Sequence, residues 1–589
     1  MFRLRWPFRS LLLILLLFPL QGTRVNIPSP VEYPDSTGFM EKEMRRMIRK
    51  HHLPAFAVSI VDHEKILFHD ARGFIDLEKE IPASPNSVFK LWSVAKAFTA
   101  IEIFREVEEG SIHLDDPITT YLPEFSIQSR FPENGPITVK SLLAHRSGLP
   151  RNECITCPPG KGDSLTLHKF EKSTAGCYLA FPPGFRYHYS NLGYDLLGRI
   201  VEQNRDMGFA QYMNTHLLDD LGMESSTFSI VDISTPHDLA LGYEYYKRKY
   251  YPMLQSEINS VPSGNLYSTI RDLSIFLQAL LNNEVFAGEN TMQQMFIDHF
   301  STIDDPETMG LGWKTREITG GNLMVWHDGG PGDGTGALIA MVPDQKLAIA
   351  MVANSTSFGS DKSVLFAKEI FNRLIEEKSN REPAPTEKPE PYSIAAEALN
   401  KFEGKYMAWG MTMNVEARKS KLKGKIGGFT LNLIPISETE FKVSHWMDKI
   451  GLTKIIKVPV AFDKLRISFP ASDAINPEFL IINLDHISYE ICPRYPIQVS
   501  SEESWNHLLG SYQLAGRLPG NKAGQLWENQ HSIYMEDNVL RLSGVFGPII
   551  PLDDNYIRIV SGPFAGETME YFPGTGQLIH QNIVFVPSP

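Results

Sequence analysis

The residues FKLWSVAKAFTAIEIF, at Phe89–Phe104, carry the most informative local pattern of this chain. Apolar residues recur there at helical spacing, which predicts a helix over Ser93–Glu109 that Gly110 ends. Ser93 and Lys96 lie one turn apart on such a helix, so a hydroxyl and an amine share one face. The free N–H groups and the dipole at a helix start stabilise developing negative charge. Ser93 is therefore a candidate nucleophile, and Lys96 is a candidate to take or stabilise its proton.

The Ser-x-x-Lys spacing occurs again at Ser420–Lys423, where a solvated β-hairpin is expected, so the spacing identifies no site by itself. A Tyr-x-Asn spacing also occurs twice, at Tyr189–Asn191 and Tyr212–Asn214. Pro183–Gly184 before the first copy and a helical run after it predict a turn that feeds a helix. Side chains in such a turn can point into a cleft. The second copy is typical of the interior of an amphipathic helix and is predicted to be structural.

Tyr189 and Asn191 are candidates to share a site with Ser93. A phenol is a poor base at neutral pH unless adjacent positive charge holds it near the phenolate form. Lys96 and a protonated His327 would supply that charge for Tyr189. Asn191 would hydrogen-bond the lysine and a substrate amide.

His327-Asp328-Gly329 is the third motif, and it is the only His-x-Gly among the 17 histidines. It follows the apolar residues Leu323–Trp326, as expected for the end of a strand that lines a cleft. Gly329 and Gly330 would let a substrate approach the backbone closely. The N–H groups of Ser93 and Gly330 would then form an oxyanion hole for a tetrahedral intermediate.

The composition limits the class of protein. A chain of 589 residues is too long for one hydrophobic core, so about two to four domains are expected. Hydrophobic residues make up 42% and charged residues 21%, as in folded globular proteins. The net charge is −13 with no long basic run, and phosphate binding needs a clustered positive field. A nucleic-acid partner is therefore not expected.

The N-terminus has the pattern of an export signal. Arg3, Arg5 and Arg9 precede the apolar stretch Leu11–Leu20, which is about half as long as a membrane-spanning helix. We expect a signal peptide over residues 1–24, whose removal leaves a secreted or periplasmic protein with no stable membrane span. An uncleaved anchor is the alternative.

Three of the four cysteines, Cys154, Cys157 and Cys177, lie close in sequence, and Cys492 is distant. In an exported protein, a disulfide among the first three is expected. The alternative is a zinc ion held by these three with His168. A structural zinc site needs four well-spaced ligands, and only one close cysteine pair is present.

Residues 31–377 have the pattern of one mixed α/β domain. Paired apolar runs predict β-hairpins at Phe56–Phe68 and Leu338–Val352, followed by a helix from about Ser363 to Glu376. The charged, proline-rich stretch KSNREPAPTEKPEP begins at Lys378 and predicts an extended linker over residues 378–396.

After the linker, short apolar runs between turn residues predict β-structure with a faint internal repeat. Phe402–Tyr406 resembles Leu508–Tyr512, and Leu433–Pro435 resembles Ile549–Pro551. Two related β-barrel or lipocalin-like modules are therefore expected. Their expected bounds are 397–497 and 503–589.

These motifs together resemble the serine β-lactamase-like and penicillin-binding-protein family, with its class C β-lactamases, D-Ala-D-Ala carboxypeptidases and D-aminopeptidases. The resemblance covers about residues 35–375 in the family's order. Beyond the three motifs it is carried by Leu114–Ile118, Tyr121–Pro123, Leu142–Leu149, Tyr189–Ile200, Pro262–Leu281, Gly310–Trp313 and His327–Asn354.

The resemblance implies a fold and a role for each site residue. The fold would be an α/β (α+β) catalytic domain, an antiparallel sheet flanked by helices with a helical subdomain, followed by the two small barrels. Ser93 would form an acyl-enzyme, with Lys96 and Tyr189 as proton handlers. Asn191 would orient the substrate, and His327 would bind its carboxylate or carbonyl end. No metal or organic cofactor is implied, and a homo-oligomer is compatible with the resemblance.

A serine hydrolase is thus predicted, and the third motif narrows its substrate. Many β-lactamases have lysine where this chain has His327, and histidine there is more similar to D-Ala-D-Ala carboxypeptidases and D-aminopeptidases. A peptidase or amidase acting on small peptides that contain D-residues is predicted. An esterase, a true β-lactamase and a catalytically lapsed binding or scaffold protein are the alternatives.

Polar residues beside the motifs have structural interpretations too. His145 and Ser147 are predicted to fix a turn by hydrogen bonding. His188 directly precedes Tyr189, and strand-like alternation leaves open whether it points away from the site or into it.

Overall fold

A computed structural model describes most of the chain. The described residues are 36–131, 135–152, 167–233, 238–253, 260–300, 308–330, 332–379, 392–408, 411–418, 421–426, 428–445, 465–469, 479–484, 487–495, 507–514, 530–536, 539–543, 547–552, 555–559, 566–580 and 583–588. The predicted signal peptide, most of the predicted linker, Cys154, Cys157 and Ser420 lie outside these residues. The signal peptide and the secreted or periplasmic location stay predictions.

Helices and strands alternate in the first part of the chain. The helices are α1 (Ser36–His51), α2 (Ala95–Glu108), α3 (Val139–Leu143), α4 (Leu167–Ser173), α5 (Asn191–Arg205), α6 (Phe209–Met213), α7 (Val261–Gly264), α8 (Ile270–Leu281), α9 (Thr291–Phe296) and α10 (Ser360–Ser379). The strands are β1 (Ala55–Asp62), β2 (Ile66–Asp76), β3 (Ile81–Pro82), β4 (Phe89–Trp92), β5 (Tyr243–Tyr246), β6 (Lys249–Pro252), β7 (Leu266–Ser268), β8 (Thr308–Met309), β9 (Lys314–Ile318), β10 (Asn322–Gly329), β11 (Gly336–Val342) and β12 (Leu347–Ala353).

Eight of these strands form one antiparallel sheet in the order β3-β2-β1-β12-β11-β10-β9-β8. β1 pairs with β2, and β11 pairs with β12, so both predicted hairpins are confirmed. In the sheet centre, Phe56 lies opposite Ala353 and Ser59 opposite Ala350. β10, which carries the third motif, lies beside β11.

Successive side chains of a strand point to opposite sides of the sheet, so the apolar strands of this sheet have two apolar faces. Helices cover both of these faces. On one face, Ala57 of β1 belongs to a core with Phe98 of α2. On the other face, Phe56 packs with Met44 of α1 and Phe371 of α10. Burial of each large apolar side chain stabilises the fold by roughly 1.5–3 kcal/mol. α5 packs against α2, α3, α4, α6 and α7, which forms the predicted helical subdomain.

Among the described residues, the second part of the chain is mainly β-structure, preceded by the short helix α11 (Ala396–Leu399) and a 3-10 turn over Asn400–Phe402. Its strands are β13 (Gly404–Ala408), β14 (Met411–Arg418), β15 (Lys421–Ile426), β16 (Phe429–Pro435), β17 (Glu440–Ser444), β18 (Leu465–Ser468), β19 (Phe479–Leu484), β20 (Ile487–Tyr495), β21 (Gly510–Leu514), β22 (Gln530–Glu536), β23 (Val539–Leu542), β24 (Gly547–Pro551), β25 (Tyr556–Ile559), β26 (Thr568–Phe572), β27 (Gln577–His580) and β28 (Ile583–Pro587). β13–β20 close into one barrel and β21–β28 into another, which confirms the two predicted modules.

The internal repeat predicted from the sequence has a structural counterpart. Tyr406 and Tyr512 each donate a hydrogen bond of 3.0 Å to the carbonyl oxygen of the residue four positions earlier. Leu433–Pro435 lies in the fourth strand of the first barrel, and Ile549–Pro551 lies in the fourth strand of the second. The two barrels therefore share both strand order and this tyrosine contact.

The second copies of the short motifs are structural, as predicted. Lys421–Ile426 forms a strand paired with β14. Tyr212 is buried in α6 and donates a hydrogen bond of 2.7 Å to Glu102. Among the helices that the structure describes, none combines the length and apolar character needed to cross a membrane.

Candidate active site

Ser93 lies in the turn that joins β4 to α2. The helix begins at Ala95, two residues later than predicted, because the chain needs a turn to pass from a strand into a helix. The Ser93 carbonyl accepts a hydrogen bond of 3.0 Å from the Lys96 N–H. Ser93 thus precedes the first turn of α2, at its positive end.

The residue before Ser93 has an unusual backbone. Trp92 has φ +50°, a left-handed conformation that costs a residue with a side chain about 1–2 kcal/mol. Its indole Nε1 donates to Asp333 and Thr335 at 3.1 Å each, and Lys90 Nζ lies 4.1 Å from the ring centroid. A Cβ on Gly332 would lie 2.7 Å from the ring. These contacts hold the turn that carries Ser93, and the sequence analysis did not identify them.

Two polar side chains approach the Ser93 hydroxyl. Tyr189 Oη donates to Ser93 Oγ at 2.7 Å, and Lys96 Nζ lies 3.2 Å from the same oxygen. Lys96 Nζ also donates to Asn191 Oδ1 at 2.8 Å and to the Ser263 carbonyl at 2.5 Å. The structure thus brings together four of the predicted site residues. Ser263, in α7, is a partner that the sequence analysis missed because only its backbone takes part.

Lys96 is fully buried, and burial lowers the pKa of its amine from the ordinary 10.5, against the opposing effect of Tyr189. A neutral amine has two N–H groups and one lone pair. Asn191 Oδ1 and the Ser263 carbonyl can only accept, so they orient the two N–H groups. The lone pair is then left for the Ser93 hydroxyl. This arrangement suits Lys96 to accept the serine proton.

Asn191 is placed by the first turn of α5, which begins at this residue. Ser190 caps this helix: its Oγ accepts from the Gly193 N–H at 3.0 Å. The Asn191 amide also donates to Asn152 Oδ1 at 2.7 Å. The cap and this contact fix the amide so that its oxygen faces Lys96.

Arg151 contributes a cation that the sequence analysis did not identify. Its guanidinium carbon lies 4.7 Å from the centroid of the Tyr189 ring. Lys96 Nζ lies 4.9 Å from the same centroid. Positive charge beside Tyr189 therefore comes from Arg151, and from Lys96 whenever its amine is protonated.

His327 is neutral in this site. Burial, with a smaller contribution from Lys96, lowers the pKa of its imidazole to about 3 against the opposing charge of Asp328. The expectation of a protonated His327 beside Tyr189 is wrong, because a fully buried cation would lose its hydration without a carboxylate partner of its own. The Asp328 carboxylate is paired with Lys314 at 3.2 Å.

The tautomer of His327 follows from its backbone contact. Nδ1 lies 2.9 Å from the Asp328 carbonyl oxygen. A carbonyl oxygen can only accept, so Nδ1 carries the proton and Nε2 is an acceptor. Nε2 is buried and has no hydrogen-bond partner among the described residues.

The two glycines of the third motif differ. A Cβ on Gly329 would lie 2.0 Å from the Leu91 carbonyl oxygen, so this position packs β10 against the strand that leads to Ser93. Close approach of a strand, and not of a substrate, accounts for glycine there. At Gly330, a Cβ would meet nothing within 4 Å among the described residues, which leaves room beside its backbone.

His145, Ser147 and His188 have structural partners. His145 is buried with φ +54°, accepts from the Ser190 N–H at 3.1 Å, and lies 4.4 Å from the Tyr189 ring. Ser147 Oγ accepts from the Leu149 N–H at 3.3 Å. His188 is buried and lies 3.4 Å from Glu567 in the second barrel. The predicted turn-fixing role of His145 and Ser147 agrees with these bonds.

The zinc alternative is wrong, because Cys177 is disulfide-bonded. His168 instead belongs to a group with Glu124 and Glu171 whose ligand atoms all lie within 4.8 Å of one another. Arg199 pairs with Glu171 at 3.2 Å, and Lys172 with Glu124 at 3.4 Å. These cations already balance the carboxylates.

The chain is similar to known proteins over its first part. The family model described as Beta-lactamase matches residues 39–368. Protein flp of Staphylococcus aureus strain MW2 is 28% identical over 382 residues, which cover 63% of this chain and 71% of the relative. Beta-lactamase-like protein 2 of Dictyostelium discoideum is 28% identical over 297 residues, which cover 48% of this chain and 54% of the relative.

Solved structures share the fold. An octameric penicillin-binding protein homologue from Pyrococcus abyssi is 21% identical, with a TM-score of 0.50, and covers 77% of this chain and 99% of its own. SurE is 21% identical, with a TM-score of 0.55, and covers 78% and 98%. A class C beta-lactamase is 21% identical, with a TM-score of 0.50, and covers 59% and 98%. These likenesses confirm the predicted β-lactamase/transpeptidase-like fold.

Proposed function

Because this chain belongs to the beta-lactamase family and is a serine hydrolase of that type, we propose that it hydrolyses small peptides and amides through an acyl-enzyme on Ser93. Peptides that contain D-residues are the proposed substrate class. The observation that carries the proposal is the placement of Ser93 Oγ between Tyr189 Oη, at 2.7 Å, and Lys96 Nζ, at 3.2 Å.

Acylation begins when Ser93 Oγ attacks the carbonyl carbon of the scissile amide. The serine proton passes to the lone pair of Lys96, so the amine becomes an ammonium. The carbonyl oxygen becomes an oxyanion, for which the backbone N–H groups of Ser93 and Gly330 are the proposed donors. Burial lowers the pKa of the fully buried Lys96 amine, which favours its neutral form and so leaves a lone pair free to take this proton.

Collapse of the tetrahedral intermediate needs a proton on the leaving nitrogen. Tyr189 gives its phenolic proton to that nitrogen. The Lys96 ammonium then returns a proton to the Tyr189 phenolate. The C–N bond breaks, the amine leaves, and an ester of Ser93 remains. Arg151 and Lys96 stabilise the transient phenolate, since both cations lie within 5 Å of the ring centroid.

Deacylation repeats the steps with water in place of the serine hydroxyl. Lys96 takes one proton of the water as the water oxygen attacks the ester carbon. The C–O bond to Ser93 breaks, and the Lys96 ammonium returns the proton to Ser93 Oγ. The product is a carboxylic acid, which releases its remaining proton to solvent and leaves as the carboxylate, and the site is restored. No step draws on a metal or an organic cofactor.

A neutral His327 favours substrates that present an amide N–H over substrates that bind through their own free carboxylate. Its Nε2 can accept a hydrogen bond from a peptide N–H but offers no charge to a carboxylate. In place of the carboxylate or carbonyl binding that the resemblance implies, the proposed role of His327 is to accept a hydrogen bond from a substrate N–H. One structural relative, SurE, was solved with D-Leu, which supports D-residue peptides as the first substrates to test.

The decisive experiment is covalent labelling. A fluorophosphonate or a fluorescent penicillin should modify the wild type and fail to modify Ser93→Ala. Ser420→Ala is the matched control, because Ser420 begins the second Ser-x-x-Lys spacing of the chain, and this variant should label normally. Folded wild type that reacts with neither probe would overturn the proposal in favour of a lapsed scaffold.

A substrate panel then separates the classes of hydrolase. D-aminoacyl p-nitroanilides, D-Ala-D-Ala peptides, p-nitrophenyl esters and nitrocefin are compared by kcat/KM on the purified full chain. The proposal expects the amide and peptide substrates to be turned over. Hydrolysis of esters alone would point to an esterase, and hydrolysis of nitrocefin alone to a β-lactamase. The Pyrococcus abyssi relative is described as octameric. We therefore also propose that this chain forms a homo-oligomer, and measuring the oligomeric state of the purified chain tests this.

A further inference from the structure

One buried carboxylate of the second barrel reaches the wall of the active site. Glu567 directly precedes β26, and its side chain is 2% exposed. Its Oε1 accepts a hydrogen bond of 2.8 Å from the backbone N–H of Arg151 and lies 3.4 Å from His188 Nε2. Its Oε2 lies 2.8 Å from Nε2 of His580, in the same barrel. The carboxylate thus joins the barrel to two segments of the catalytic part.

Both of these segments carry site residues. His188 directly precedes Tyr189 in the chain. The Arg151 carbonyl accepts a hydrogen bond of 2.7 Å from the Asn191 N–H, and its guanidinium lies over the Tyr189 ring. Glu567 therefore contacts the immediate neighbours of Tyr189 and Asn191, although it touches neither of them.

Glu567 contacts the Arg151 N–H and the two imidazoles as a charged carboxylate. Burial alone would raise the pKa of its carboxyl, but hydrogen bonds from His188 and His580 lower it to about 2. The carboxylate is therefore ionised at neutral pH. A buried charge without partners is costly, so Glu567 is stable only where the Arg151 N–H and both imidazoles surround it. Charge-assisted bonds of this kind fix geometry more firmly than neutral ones.

Further contacts of the same interface hold the barrel in place, and the Phe181 ring within it also packs edge-on against His188, with ring centroids 5.2 Å apart. Arg130 donates to Thr568 Oγ1 at 2.9 Å. Gly566 lies against Phe181, where a Cβ would come within 2.5 Å of the ring. Thr568 is the neighbour of Glu567 in sequence and belongs to the same interface. It therefore provides a control that separates docking of the barrel from alignment of the site.

We propose that Glu567 is a positioning residue for acyl transfer, and that the second barrel completes the active site through it. By holding Arg151 and His188, Glu567 keeps Tyr189 and Asn191 within hydrogen-bond reach of Ser93 and Lys96. The inference rests on the proposed acyl-enzyme chemistry at Ser93. A shift of about 1 Å in positioning groups costs on the order of 100-fold in rate, so loss of this carboxylate has a measurable effect.

The test compares Glu567→Ala, Glu567→Gln and the control Thr568→Ala in the full chain. Fluorophosphonate labelling of Ser93 is followed over time, which yields both a rate constant and the fraction of protein labelled. A misfolded population lowers the labelled fraction, whereas a misaligned site lowers the rate constant of the sites that do react. We expect Glu567→Ala to lower the rate constant about 10- to 100-fold with little loss of labelled fraction.

The two other variants sharpen the outcome. Glu567→Gln keeps an oxygen that can accept from the Arg151 N–H but loses the charge, so it should label faster than Glu567→Ala and more slowly than the wild type. Thr568→Ala should label at the wild-type rate. The proposal is overturned if Glu567→Ala labels as fast as the wild type, or if only its labelled fraction falls. Equal slowing by Thr568→Ala, or no recovery with glutamine, would also overturn it. A wild type that does not label at all would instead remove the proposed function.

Discussion

Tyr189 Oη lies 2.7 Å from Ser93 Oγ, although 96 residues separate the two in sequence. Ser93 lies between the end of β4 and the start of α2, and Tyr189 lies in the turn before α5. Because α2 packs against α5, the two side chains meet. Lys96 Nζ approaches the same oxygen at 3.2 Å. The serine hydroxyl thus has a proton donor and a buried amine within the distance that general acid–base catalysis requires.

Tyr189→Phe should lower the acylation rate by about 100- to 10,000-fold, because it removes the group proposed to protonate the leaving nitrogen. The ring and its stacking against Arg151 remain, so substrate binding should change little. Tyr212→Phe is the control, since Tyr212 has the same Tyr-x-Asn spacing but contacts Glu102. Pre-steady-state kinetics measure both variants. Equal rates for Tyr189→Phe and the control would contradict the role of the phenol.

The acylation rate should rise with pH through the pKa of Lys96, because only the neutral amine can take the serine proton. Burial lowers that pKa, so the rising limb should lie below pH 10.5, the ordinary value for lysine. The measurement is log kcat/KM against pH with an amide substrate. A rising limb centred at the ordinary lysine value would show that Lys96 does not act as the base.

His327 should contribute no titration to activity between about pH 5 and pH 8. Burial lowers the pKa of its imidazole to about 3, so the ring is neutral over that whole range. His327→Gln should therefore change the magnitude of kcat/KM without moving the limbs of its pH profile. A limb near pH 6.5 that is present in the wild type and absent from the variant would contradict a neutral His327.

Glu567 should stabilise the fold in a pH-dependent manner. Its pKa falls from the ordinary 4.5 to about 2 in the folded chain. Its stabilisation is therefore fully present above about pH 4.5 and is lost as the pH falls through about 2, amounting to up to about 3 kcal/mol. The thermal unfolding midpoints of wild type and Glu567→Gln should converge as the pH falls from 5 towards 2. A constant difference between the midpoints over that range would contradict the ionised, buried carboxylate.

Trp92→Gly should be more stable than Trp92→Ala by about 1 kcal/mol, because glycine adopts positive φ without the steric cost of a Cβ. Trp326, a buried residue of β10, is the matched control. Within a strand, alanine should be more stable than glycine, so Trp326→Gly should be the less stable of its pair. Urea unfolding measures all four variants. If the glycine and alanine variants have the same order of stability at both positions, the turn before Ser93 is not strained.

Several features were predictable because they depend on local spacing. Ser93 and Lys96 are one helical turn apart, and alternating apolar runs form the hairpins of the sheet. The repeat of Phe402–Tyr406 at Leu508–Tyr512 predicted two related barrels, because similar short segments build the same local contact. The order of the three motifs along the chain predicted the family.

Other features were not predictable, because they join segments that are distant in sequence. The Ser263 carbonyl on Lys96 is a backbone group, which carries no residue signature. Arg151 lies over Tyr189 because its backbone is joined to the start of α5, where the Asn191 N–H donates to the Arg151 carbonyl at 2.7 Å. Glu567 is one acidic residue among 69 in the chain, and nothing in its neighbourhood marks it as a partner of Arg151.

The sequence alone determined which chemical groups are present and which of them share a turn: the Ser93 hydroxyl with the Lys96 amine, and Tyr189 with Asn191. Only the tertiary structure decided how these groups are protonated and how they are placed relative to one another. It brought Tyr189 to Ser93, made His327 neutral and placed a carboxylate of the second barrel behind the site. The physical reason is that desolvation and hydrogen bonding set protonation and alignment, and both depend on neighbours that the fold supplies from distant parts of the chain.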